Sequence, residues 1–193
     1  MRPPKIIKPY VLSFARQVVG EETTPTYVPC SPVSGALQNE CFPLVDSHIE
    51  RNGGRVVLGW AIWEWPSVFI EAEFHAIWCA PGGNIIDIAP RPFPIQRILF
   101  VEDARRKYSG MQVDNIRKPL VKDKDVKRFI DLAGQWFRLL NQGKLKHQYG
   151  EIEKTPEMAR VEKERTAIEF KLLKRYGPWL PESAGKPTDI PFQ

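Results

Sequence analysis

The stretch from 55 to 79 admits few folds. It holds two runs rich in Val, Ile and Trp, 55–65 and 68–79, with Pro66 between them. Such side chains fit a pleated, half-buried surface, and a proline cannot donate to a ladder. The pattern therefore predicts two strands with a break at Pro66. The second run alternates, with Ala72, Phe74, Ala76 and Trp78 on one face and Glu71, Glu73, His75 and Ile77 on the other. A turn through Pro81, Gly82, Gly83 and Asn84 leads to a third strand over 85–89, and a further short apolar run covers 98–101.

Helical spacing surrounds this β region. Apolar positions 10, 11, 14, 15, 18 and 19 predict a helix that stops near Gly20. The segment 21–35 is rich in Pro, Thr and Ser and reads as irregular surface chain. Asn39 is a good N-cap and Pro43 belongs in a first turn, so a helix starts near Glu40, carries Cys41 in its first turn and ends at Asn52, Gly53 and Gly54. Beyond 104 the pattern is helical. One stripe runs over 125–140, and a second helix runs from the cap Thr155 and Pro156 to Tyr176. The proline-rich tail to Gln193 reads as surface chain.

At 193 residues the expectation is one α+β domain over 1–193. It comprises an N-terminal helix and irregular segment (1–35), a core (36–103) and a helical extension (104–193). Residues 1–100 carry 8 basic and 9 acidic side chains, and 101–193 carry 20 and 14. The positive half is also rich in acids. It reads as solvated helix faces, so a nucleic-acid partner is not favoured. Three cysteines without paired spacing, no secretory signal of the usual form and no apolar run of transmembrane length predict a cytoplasmic protein without a membrane partner.

The chemistry-bearing residues are Cys41, His75 and Asp87. A cysteine attacks as the thiolate, with a free pKa of about 8.5, and a helix N-terminus favours that anion through its unpaired N–H groups. The same N–H groups suit a developing oxyanion. A nucleophile also needs a base oriented by a third group. A loop centred on Pro81 would set His75 directly opposite Asp87 on antiparallel strands, with Cβ atoms roughly 5 Å apart. The plainer readings are a buried structural Cys41 and a half-buried His75 bonded to Glu73 or a carbonyl. Glu71 and Glu73 share the His75 face, and a metal there is a less favoured alternative.

The order Cys, His, Asp resembles transglutaminase-like enzymes of the papain-like superfamily. So does the wording Phe74, His75, Ala76, Ile77, Trp78 followed by Ile86, Asp87, Ile88, Ala89, Pro90. The likeness covers about residues 36–92. It implies a cysteine-bearing helix packed on a small antiparallel sheet, with additional C-terminal helices. It also implies Cys41 as nucleophile, His75 as base and acid, and Asp87 as the orienting carboxylate. The expected activity is acyl transfer on a protein or peptide, whether hydrolysis, deamidation or cross-linking, with no cofactor and no metal. Trp60, Trp63, Trp78 and Gln38 are the expected substrate contacts. The rival readings are a non-catalytic binding or adaptor protein on the same fold and a basic nucleic-acid-associated protein.

Overall fold

The computed structural model describes residues 1–143, 145 and 152–179. Their elements are α1 (Pro9–Val19), β1 (Thr26–Pro29), α2 (Cys41–Asn52), β2 (Arg55–Trp65), β3 (Phe69–Cys79), β4 (Ile85–Ile86), β5 (Arg97–Glu102), β6 (Ile116–Pro119), α3 (Lys124–Leu140) and α4 (Pro156–Tyr176). The helices fall where the periodicity puts them, within a residue or two. No described helix is long and apolar enough to cross a membrane. The proline-rich tail beyond 179 lies outside the described residues.

Two compact units divide the chain. The first, 2–63 with 72–109, carries most of the sheet, in the order β1-β5-β2-β3-β4. β1 and β2 both pair antiparallel with β5, and β3 pairs antiparallel with β4. The two ends of this order also meet. Pro29 O accepts the Asp87 N–H at 2.9 Å, Asp87 O accepts the Ser31 N–H at 2.9 Å, and Ile88 O accepts the Val33 N–H at 3.0 Å. The sheet thus nearly closes into a barrel, which leaves little unpaired edge. The expected small antiparallel sheet is therefore larger and more closed than its sequence pattern shows. β1 lies in the segment expected to be irregular. Its proline content is tolerated because Pro29 stands at the strand's last position.

α2 packs on the face of β3 that carries Phe74, Ala76 and Trp78. Cys41 and Val45 cluster with Ala76, Ile88 and Ala89. The Phe42 ring lies 5.3 Å from Phe74, and His48 meets Trp78 edge-on at 4.5 Å. Gly59 on β2 is required by close approach. A Cβ there would lie 2.1 Å from the Val101 carbonyl oxygen and 2.6 Å from the Phe100 ring.

The second unit comprises Met1, 64–71 and the described residues from 110 onward. Trp65, Val68 and Phe69 form its core with Val126, Phe129 and Leu132 of α3 and Val161, Ile168 and Leu172 of α4. Asp123 accepts the Asp125 N–H at the start of α3, and Thr155 accepts the Met158 N–H at the start of α4. β6, unexpected in a region read as helical, pairs with β3.

Candidate active site

Cys41 is the first residue of α2, as its neighbours predict, but the cap differs. Glu40 holds the N-cap position without a side-chain hydrogen bond, and Asn39 takes a left-handed φ of 63°. Asn39 therefore turns the chain into the helix rather than capping it, a conformation that asparagine tolerates better than most residues. Pro43 has no N–H, and the Leu44 N–H is used by Glu40 O at 3.1 Å. The donors left at the helix tip are the Cys41 and Phe42 N–H groups.

The β3–β4 register also differs from the expected one. Trp78 pairs with Ile86 and Cys79 with Ile85, so the loop is centred on Gly82. Extended inward, that register would put Asp87 opposite Ile77 rather than His75, and it stops after Ile86. Parity is preserved, because the centre has moved by a single residue and partners by two. Asp87 thus stays on the His75 face, one diagonal step away, and the two side chains meet. Asp87 Oδ1 lies 2.9 Å from His75 Nε2 and accepts the Ala89 N–H at 3.1 Å. Both side chains are buried, with relative exposures of 1% for His75 and 0% for Asp87.

A third member of this cluster is invisible in the motif. Arg91 donates from Nη2 to Asp87 Oδ2 at 3.2 Å, and that nitrogen lies 3.1 Å from His75 Nε2. Its Nη1 donates to Glu73 Oε2 at 3.2 Å, and its guanidinium stands 4.8 Å from the centre of the Trp63 ring. Trp63 closes the circuit by donating from Nε1 to Glu73 Oε2 at 2.7 Å. Nε2 of His75 cannot both donate to Asp87 and accept from Arg91. The carboxylate is the acceptor, so the ring proton belongs on Nε2 toward Asp87. Among the described residues, His75 Nδ1 is buried with no hydrogen-bond partner.

Burial alone would discharge the imidazole. The Asp87 carboxylate and then the Cys41 sulfur outweigh burial, Arg91 opposes them, and the net effect raises His75 to about 10. Burial likewise works against the Asp87 carboxylate, but His75 and Arg91 hold it below the usual carboxylate range. Cys30 forms a parallel bridge with Asp87. Burial, then the Asp87 charge, push its thiol up to about 12, so Cys30 is the wrong cysteine for attack near neutral pH.

Cys41 lies within electrostatic reach of His75, yet its packing partners Ala76 and Ile88 alternate with His75 and Asp87 along their own segments. Its relative exposure is 7%. Trp60 is wholly buried and donates to Asp103 Oδ2 at 3.3 Å, so it is a core residue and not a groove wall. Trp63 belongs to the Arg91 circuit. Trp78 donates to Gly53 O at 2.9 Å, and Gln38 is exposed in the loop before α2. Glu71 is bound to Arg117 at 2.9 Å. Arg91 escaped the sequence reading because an arginine between Pro90 and Pro92 looks like surface loop. Its one signal was the four-residue step from Asp87. No family model, no curated protein and no solved structure matches the chain.

Proposed function

We propose that this chain is a cysteine-dependent acyl-transfer enzyme on a papain- or transglutaminase-like core, acting on a protein or peptide carbonyl without a cofactor. One observation carries the reading. A buried imidazole is tied to a carboxylate through Nε2 and keeps Nδ1 unpartnered, in the same compact unit as a cysteine that opens a helix. In the reaction the Cys41 thiolate adds to the carbonyl carbon, and the Cys41 and Phe42 N–H groups stabilise the oxyanion. The imidazolium gives its Nδ1 proton to the departing amine, leaving a thioester. Water or an amine then attacks, neutral His75 takes its proton, and the Cys41 thiolate is released beside the restored imidazolium.

A second reading has its own support. The burial of Cys41 beside Val45, Ala76 and Ile88 favours a binding protein that keeps this arrangement as structure. Alkylation separates the two. With iodoacetamide at pH 7 and the modified peptide identified by mass, Cys41 of the enzyme reacts faster than Cys30. His75→Ala then slows Cys41 by about tenfold or more, the deficit of an unassisted thiol. A Cys41 that is inert, or indifferent to the histidine change, leaves only the binding reading.

A further inference from the structure

We propose that Arg91 is a positioning residue for this site: it clamps the second oxygen of the Asp87 carboxylate, beside His75, and sets a fixed cation against the imidazole. The inference rests on the acyl-transfer reading for its purpose but not for its test. The two oxygens of Asp87 are divided, Oδ1 to His75 and the Ala89 N–H, Oδ2 to Arg91. With both oxygens engaged the carboxylate cannot rotate, and the ring it holds keeps one orientation.

The second effect is electrostatic. A guanidinium nitrogen 3.1 Å from His75 Nε2 disfavours a charged ring. Asp87 and the Cys41 sulfur favour it. Without an opposing cation the ring would hold its proton too firmly to pass it to a leaving group. Glu73 moderates Arg91 in turn, because it accepts from Nη1 while Trp63 holds the same carboxylate. The charged and titratable groups bearing on the ring come from every packed segment. Cys41 of α2 and Asp87 and Arg91 after β4 act on the ring directly, Glu73 of β3 acts on Arg91, and Cys30 after β1 lies beside Asp87 and Arg91. Arg91 is the cation of that set facing the ring, and its own charge is kept by Glu73 and Asp87 in spite of burial.

The test is an NMR titration of the His75 ring in the full chain, its signals assigned by comparison with His75→Gln. Arg91→Gln is expected to raise the midpoint by about one pH unit, and Glu73→Gln to lower it by a similar amount, because Arg91 then faces the ring less neutralised. Arg91→Lys keeps the charge and should stay near the wild-type midpoint while losing the fixed ring orientation, seen as exchange broadening. If Arg91→Gln does not fold, the downward shift in Glu73→Gln decides alone. Midpoints unmoved in folded Arg91→Gln and Glu73→Gln overturn the role of Arg91. Midpoints that move as expected beside an unreactive Cys41 overturn the enzyme reading and leave Arg91 its structural role.

Discussion

A carboxylate with no exposure, such as Asp87, survives only because both of its oxygens are engaged. Its partners are His75, Arg91 and the Ala89 N–H, and each opposes the cost of burial. Removing the charge from one side of such a pair leaves the other charge buried and unanswered. Asp87→Asn should therefore cost about 3–5 kcal/mol in a urea unfolding experiment, more than a typical surface change. His75→Gln in the same background should recover part of that loss, since the stranded charge is then gone. Additive costs would mean that the two residues do not act as a pair. His75 and Asp87 were both legible as candidates, because a carboxylate flanked by Ile86 and Ile88 must have a partner. Arg91 was not, because all its partners but Asp87 are brought to it by two other strands, β2 and β3.

Among the elements, the β2–β3 hairpin carries the greatest constraint. Its strands and their two faces were readable from alternation, but α2 packs on the Phe74, Ala76 and Trp78 face rather than the His75 face where Cys41 was expected. What alternation cannot give is how near one strand lies to the next. Gly59 sits where the β5 backbone passes, and its missing side chain is filled by the Val101 carbonyl and the Phe100 ring. Gly59→Ala should destabilise the fold by about 3 kcal/mol in urea unfolding, since backbone rather than a flexible side chain must yield. A loss below about 0.5 kcal/mol would mean that β2 and β5 part more easily than their pairing indicates. The turn after β3 shows the same limit. Proline and two glycines announced a turn, but its centre fell on Gly82, where the Ala80 N–H donates to Asn84 O at 2.8 Å.

For the whole molecule, the buried pair links stability to pH at both ends. The folded His75 titrates at about 10 against an ordinary 6.5, so its contribution is fully present below about pH 6.5 and is lost as pH rises through about 10. Asp87 runs the other way. Its folded pKa is depressed below 3.8, so its contribution is present above that value and is lost as pH falls through the folded one. Urea midpoints measured from pH 3 to 11 should fall at both ends, and His75→Gln should flatten the alkaline fall. An alkaline limb unchanged in that variant would assign the loss to other groups.

The sequence by itself determined the elements whose signals are local. Periodicity marked the four described helices, alternation set the faces of β3, and a loop centred on a single residue puts His75 and Asp87 on one side, which a two-residue turn at Gly82 and Gly83 would not. Only the tertiary structure decided the near-closure of the sheet through Pro29, Ser31 and Asp87, the completion of the cluster by Arg91, and the packing of Cys41 in hydrocarbon at the tip of its helix. Those features depend on chain segments tens of residues apart, and a local pattern records what a residue prefers but not which distant backbone or charge it will meet.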